Sequence, residues 1–387
     1  MTKNKIASVI IAIFLLHLFS VVAQANDVSN NELNKLTAKA SLLMDGTNGT
    51  VIFEKNSREK LPLASITKVI SMIIVVDEIR NNNLRMDDIV TTSAHASSMG
   101  GSQVYLKEGE KFTVKEMLKA VAIHSANDCT VALAEKISGN EGAFVDRMNE
   151  RAKSLGMKDT KFLDCTGLTD EGHYSTAYDI ALMAKEVVNN YPIILEFSSI
   201  WQDTFRNGKF SLYNTNKLIN KYEGLDGLKT GFTSKAGYCL VATAKRNNVR
   251  LISVVLGTPA KNIRFSETRK LLDYGFANME SYDIGKSGDF VKKVNVKKGV
   301  KKQVDSVYKD DIKLTLLKRD RDKIQKNIKV FDNITAPIKK GKVLGKVEYK
   351  VYDNVVLSRD IVAKEDVVKA SFIRLFFRAI LNWLGIE

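Results

Sequence analysis

The sequence predicts an α+β fold, an antiparallel sheet flanked by helices, followed by a small all-β domain and a C-terminal amphipathic helix. Three observations carry this. Strand-like segments stand at both ends of residues 31–280, with helical patterns between them. Residues 284–368 switch to a period-two alternation of valine with lysine. The closing residues 370–387 wrap large apolar side chains around one narrow polar stripe.

The chain opens with Lys3 and Lys5, an apolar run from Ile6 to Val22, and the small-residue site "AQA", Ala23 to Ala25. That order predicts a signal peptide over residues 1–25 and an exported protein. Residues 38–55 read as a hairpin, because "KASLLMD" and "TVIFEKN" are strand-like and "GTNG" between them supplies turn residues. After Pro62, the apolar run from Val69 to Ile79 reads as a buried helix, with Ser65 and Lys68 at its mouth. "TVKEMLKAVAIHSANDCTVALAEKIS" gives two helices broken at "HSAN", and 139–200 stays helical and loop-rich. "LDGLKTGFT", "AGYCLVATAKR" and "RLISVVLGT" are three strands joined by short turns, and "KNIRFSETRKLLDYGFANM" is a helix that packs back on them. In the tail, Arg374, Arg378 and Asn382 fall at i, i+4 and i+8, while Phe372, Ile373, Phe376, Phe377, Ile380, Leu381, Trp383 and Leu384 cover the rest. The segment is too short and too charged to span ~30 Å of hydrocarbon, so it is expected to lie in a membrane interface.

With 387 residues and 44% hydrophobic content, the chain has enough apolar mass for a sizeable core. Its net charge of +15 is uneven: residues 281–370 hold 23 Lys and Arg against 13 Asp and Glu. No aromatic-interleaved basic motif accompanies them, which argues against nucleic acid and for an anionic wall polymer or lipid surface. Cys129, Cys165 and Cys239 are odd in number and widely spaced, so they read as buried free thiols. The four histidines show no metal-ligand spacing, and neither a metal nor an organic cofactor is expected.

Three short motifs carry the chemistry. A serine hydroxyl becomes a nucleophile when a base takes its proton, and a lysine serves as that base once desolvation lowers its pKa. Ser65 and Lys68 in "SITK" sit at i and i+3 on one face, at the start of an apolar helix; "SREK" and "SVYK" match the spacing but lie in polar surroundings. "SAN" places Ser125 and Asn127 at a helix break, where the serine reads equally as an ordinary helix cap. "KTG" puts Lys229, Thr230 and Gly231 in a strand, where the glycine admits a close approach and its neighbours offer a cation and a hydroxyl to a carboxylate. Each motif alone is weak. In this order, with gaps of about 60 and 100 residues, they form the signature set of penicillin-binding proteins and class A β-lactamases.

Residues 31–280 resemble the low-molecular-mass penicillin-binding proteins that act as D-alanyl-D-alanine carboxypeptidases. "TGLTDEGHYSTAYDIALMA", "NTNKLI" and "DGLKTGFTSKAGYCL" are similar to that family's connecting motifs, and the β domain and tail helix resemble its usual ending. The resemblance implies a penicillin-recognising serine transpeptidase/β-lactamase-like domain. It implies Ser65 as nucleophile, Lys68 as base, and Ser125 as proton relay to the leaving amine. Asn127 would contact the substrate backbone, and Lys229 with Thr230 would bind the terminal carboxylate. Backbone N–H groups of Ser65 and of Phe232, after Gly231, would form the oxyanion hole. Some relatives carry histidine where Phe232 stands; Arg264 matches a further carboxylate-binding arginine. The implied partners are a peptidoglycan stem peptide ending in D-Ala-D-Ala, β-lactam antibiotics, and a membrane surface reached through residues 370–387. The implied location is the outer face of the cytoplasmic membrane or the cell wall. A β-lactamase would need a deacylating glutamate, and no E-x-x-L-N run is present. An endopeptidase or transpeptidase would share the chemistry, and a non-catalytic penicillin sensor would share the motifs.

Overall fold

A computed structural model describes residues 33–385 apart from residue 170, so the signal-like segment 1–25 lies outside the described residues. The chain divides into two compact units, Met1–Ala277 and Asn278–Glu387.

The first unit is built on five strands: β1 (Ala40–Asp45), β2 (Val51–Lys55), β3 (Leu225–Thr233), β4 (Gly237–Arg246) and β5 (Val249–Thr258). They form one antiparallel sheet in the order β2-β1-β5-β4-β3. The N-terminal hairpin thus joins the three C-terminal strands, with Ala40 opposite Leu256 and Asp45 opposite Leu251. All six residues of β1 are buried, as are the last eight of β5. These central strands are covered on both faces, which is why their sequences run apolar instead of alternating.

Helix α1 (Lys68–Arg80) runs through the core: every residue from Lys68 to Val76 is buried. A helix apolar all round belongs in an interior. A 3₁₀ turn, Ala64–Thr67, leads into it. Ser65 therefore lies in this tighter turn and not in the first α-helical turn that the sequence suggested. In a 3₁₀ turn residues i and i+3 eclipse, which brings Ser65 and Lys68 closer together.

Helices α2 (Val114–His124), α3 (Asn127–Ser138) and α4 (Glu141–Ser154) follow. α2 begins with a reciprocal Thr113–Glu116 capping box and ends at Ser125, whose φ of 67° is left-handed. Ala126 is extended and α3 starts at once, so the break at "HSAN" is a one-residue reversal. Asn140 caps α4, and Thr176 caps α5 (Ala177–Asn190). α6 (Pro192–Ser198) opens on its proline, and α7 (Lys261–Asn278) buries Leu271 and Leu272.

The second unit contains β6 (Met279–Gly285), β7 (Phe290–Asn295), β8 (Gln303–Tyr308), β9 (Ile312–Leu317), β10 (Gln325–Val330), β11 (Val343–Val351) and β12 (Asn354–Ala363). β6 pairs with β9, and the others form an antiparallel sheet in the order β7-β8-β12-β11-β10. Valines of the period-two pattern, Val294, Val304 and Val347, are buried, and the lysines beside them, Lys292, Lys293 and Lys346, are exposed. α8 (Phe372–Trp383) ends the unit. Its Arg378 turns inward, donating to the carbonyls of Gly299 at 3.1 Å and Val300 at 3.3 Å. Phe372, Ile373, Phe376, Phe377 and Trp383 stay exposed, Trp383 at 85%. No helix among the described residues is long and apolar enough to cross a membrane.

Candidate active site

A cleft of about 510 Å³ in the first unit collects the three motifs. Ser65, Ser125, Asn127, Thr230, Gly231, Phe232 and Arg264 all line it. Lys68 and Lys229 do not reach the cleft; both are buried behind its wall.

Lys68 is wholly enclosed, with its Nζ 2.8 Å from Ser65 Oγ and 2.7 Å from the Thr166 carbonyl. Burial pushes its pKa down to about 7, against a smaller upward pull from Cys165, Asp164 and Asp128. Near neutrality a large share of Lys68 is thus an amine with a free lone pair. A lysine so placed accepts a proton from the hydroxyl beside it.

Ser125 projects from the left-handed residue between α2 and α3. Its Oγ, like Asn127 Oδ1, is buried without a hydrogen-bond partner. Both residues line the cleft, where a bound molecule can supply the missing partners. Asn127 is held by its other groups: its backbone N–H donates to Ser102 at 2.7 Å and its Nδ2 donates to Gly100 at 2.6 Å.

The opposite wall is β3. A Cβ on Gly231 would stand 2.6 Å from the Leu63 carbonyl oxygen and 3.3 Å from the Ser65 nitrogen. Only glycine lets the strand lie this close to the serine turn. Thr230 Oγ1 donates to Thr215 Oγ1 at 2.8 Å. Phe232 is half exposed and stacks on Tyr238 with ring centroids 4.3 Å apart. Arg264 reaches from α7 to donate to the Gly231 carbonyl at 3.0 Å. Lys229 sits beneath, its Nζ donating to the Thr230 carbonyl at 3.2 Å. Burial, then the charges of Lys68 and Arg264, hold its pKa well below the ordinary lysine value. Lys229 thus lies directly behind Thr230, while Thr230 and Arg264 line the cleft themselves.

A model of the D-alanyl-D-alanine carboxypeptidase family matches residues 24–260, and one of the penicillin-binding protein 5 C-terminal domain matches residues 280–369. The chain belongs to the D-alanyl-D-alanine carboxypeptidase family. It is 43% identical to the D-alanyl-D-alanine carboxypeptidase DacF of Bacillus subtilis strain 168, over 98% of this chain and 99% of that one. Penicillin-binding protein 5 from Haemophilus influenzae superposes with a TM-score of 0.74 at 33% identity, covering 87% of this chain and 98% of that chain. Penicillin-binding protein D2 from Listeria monocytogenes, solved with ampicillin bound, has a TM-score of 0.58 at 33% identity, covering 62% of this chain and 98% of its own.

In this carboxypeptidase-family chain the loop after α4 is tied to the serine turn by residues whose part in the site the motifs did not reveal. Asp164 accepts from the backbone N–H groups of Thr166, Gly167, Leu168 and Thr169 at 2.5–3.3 Å, and from Thr166 Oγ1 at 2.7 Å. Burial alone would raise this carboxyl, but the donors around it, His173 and Thr166 foremost, hold it far below the usual carboxylate range. The loop so gathered presents the Thr166 carbonyl to Lys68. Gly167 adopts φ +83°, and any Cβ there would fall 1.9 Å from the Ala64 carbonyl oxygen. His173 completes the tie, its Nε2 2.8 Å from Thr67 Oγ1. The family-like connector "TGLTDEGHYSTAYDIALMA" begins only at Thr166; for Asp164, just before it, the signal available is an aspartate followed by small and turn-forming residues.

Glu141 bears on the lactamase alternative. Its carboxylate accepts from the Cys165 N–H at 3.0 Å and lies 3.0 Å from His95 Nε2, and it does not line the cleft. The cysteines are free and buried, as expected. Among the described residues no group of His, Cys, Asp and Glu is arranged to hold a metal ion.

Proposed function

We propose that this chain is a serine-type D-alanyl-D-alanine carboxypeptidase that removes the terminal D-alanine from peptidoglycan pentapeptides and is acylated by penicillin. The observation that carries the reading is the buried amine of Lys68, 2.8 Å from Ser65 Oγ, beside a cleft with two unpartnered polar atoms. Its family membership supports the same substrate class.

Lys68, neutral, takes the proton of Ser65 as Oγ attacks the carbonyl carbon of the penultimate D-alanine. The carbonyl oxygen becomes an oxyanion, received by the backbone N–H groups of Ser65 and Phe232. The C–N bond then breaks; Ser125 gives its proton to the departing amine and is reprotonated from Lys68. D-alanine leaves, and water hydrolyses the ester on Ser65 to restore the enzyme. Asn127 Oδ1 accepts from the peptide backbone of the acyl side. Thr230 and Arg264 take the terminal carboxylate, with Lys229 buried directly behind Thr230.

The N-terminal segment supports export, with residues 1–25 removed as a signal peptide. The exposed apolar side of α8 supports attachment of residues 370–387 to the outer face of the cytoplasmic membrane. Boundaries of 31–280 for the catalytic domain and 284–368 for the β domain fit this organisation.

The test is incubation with a diacyl-D-Ala-D-Ala peptide and assay of free D-alanine, alongside mass mapping of the penicillin adduct. D-alanine release with label on Ser65 supports the proposal. Labelling that survives Ser65→Ala overturns the assignment of the nucleophile, and acylation without D-alanine release points to a sensor.

A further inference from the structure

The second unit gathers three basic segments, 297–302, 334–342 and 364–370, at one end. Hydrogen bonds lace them together: Ala336 N–H donates to Lys297, Ile338 and Val367 exchange both N–H···O bonds, and Ala370 N–H donates to the Lys298 carbonyl at 2.8 Å. Val300 N–H donates to Val368 in the same ladder. The acidic groups on these segments are Glu365 and Asp366, and each is matched: Lys301 lies 2.7 Å from Glu365 and Lys339 lies 3.6 Å from Asp366. Lys298, Lys340, Lys364 and Lys369 are exposed and make no ion pair among the described residues.

This end also carries α8. Arg378, on the polar stripe of the helix, donates to Gly299 and Val300, within the first basic segment. The apolar side faces away, and Val300 and Val368 stand exposed next to it, Val368 at 67%. A soluble anionic polymer would match the lysines and leave these apolar groups in water. A bilayer surface accommodates both, headgroups against the lysines and acyl chains against the helix.

We propose that this lysine-rich end is a second membrane-contact element, which acts with α8 to make binding selective for anionic lipid. It rests on the reading of α8 as a membrane helix and adds a role for the β domain itself. A single amphipathic or acyl anchor holds weakly, and an adjoining polybasic patch converts it into stable attachment. Each lysine near an anionic surface contributes ~1 kcal/mol, so these four together amount to on the order of a thousandfold in affinity.

The experiment uses the chain from residue 26 onward, which keeps every described residue, and measures flotation with vesicles of pure phosphatidylcholine or of phosphatidylcholine with one third phosphatidylglycerol. The parent should prefer the anionic vesicles. The variant with Lys298, Lys340, Lys364 and Lys369 all changed to Gln should lose that preference by on the order of a thousandfold and keep its binding to neutral vesicles. Undiminished activity on a soluble peptide and a circular dichroism spectrum and thermal unfolding profile matching the parent's establish that both units of the variant are folded. Binding of the variant to anionic vesicles as tight as the parent's overturns the proposal. So does a variant defect confined to sedimentation with soluble polyglycerol phosphate, which assigns the lysines to a wall polymer. Deletion of 371–387 separates the two readings: if it abolishes vesicle binding while the lysine changes do nothing, the helix reading stands and this one falls.

Discussion

At the residue scale, Lys68 is the general base of the mechanism proposed above. Its proton must be absent for it to act as base, so the active form accumulates as pH rises through about 7. The rate of penicillin acylation should climb close to tenfold per pH unit below that point and flatten above it, measured by stopped-flow quenching of a fluorescent β-lactam. A profile flat between pH 5 and 9, roughly the range in which such a group titrates, would exclude Lys68 as the base. Lys68→Arg keeps the positive charge, but guanidinium does not deprotonate in a protein. Acylation should fall by about 10²–10⁴, the usual contribution of a general base; a variant within a few fold of the parent would reduce Lys68 to an electrostatic neighbour. Gly231→Ala tests the other wall. The added methyl collides with the Leu63 carbonyl, so acylation should drop by at least tenfold, about 1.4 kcal/mol of barrier, while thermal stability falls less than for a core cavity.

At the scale of elements, the serine turn, the "HSAN" reversal and strand β3 were legible because each combines a chemical motif with a local pattern. An apolar helix follows Ser65, a helix break surrounds Ser125, and a strand carries Gly231. The loop 164–169 was not legible in the same way. Its importance comes from Asp164 collecting four backbone N–H groups of its own loop, and from the Thr166 carbonyl meeting Lys68, a contact between residues 98 positions apart. Periodicity reports faces of elements and is blind to a carbonyl in a loop. Asp164→Asn keeps the shape and removes the charge, so it should lower acylation by about ten- to a hundredfold, as hydrogen bonds to a charged group contribute ~1.5–3 kcal/mol. Asp164 also pulls the Lys68 pKa upward. Its neutralisation should therefore move the midpoint of the pH–rate profile below that of the parent, which a purely structural loosening would not do. In the β domain, β9 and β10 escaped notice because "IKLTLL" and "QKNIKV" lack the regular valine–lysine alternation of their neighbours.

At the scale of the whole molecule, the cleft belongs to the first unit and α8 to the second. Deleting 371–387 should release the protein from membranes and leave D-alanine release from soluble peptide near the parent's rate. The truncation removes seven exposed large apolar side chains, and burying each contributes ~1.5–3 kcal/mol to attachment. Equal partitioning of the two forms in membrane sedimentation would identify α8 as a docked helix, and lost activity would make it part of the fold. The division into an α+β part and a basic β part was legible from the change of period near residue 284. The pairing of Ala40 with Leu256 could be anticipated only from strands left without partners at both ends of the first unit. That pairing also sets an order in time. A chain emerging N-terminus first exposes the apolar β1 long before β5 exists, and more than two hundred residues must follow before its neighbour is available. Until then β1 has one partner, β2, and a hairpin alone is marginal in water. The central sheet is thus among the last parts of the first unit to close, a slow, non-local step during which the newborn chain depends on being kept from aggregation.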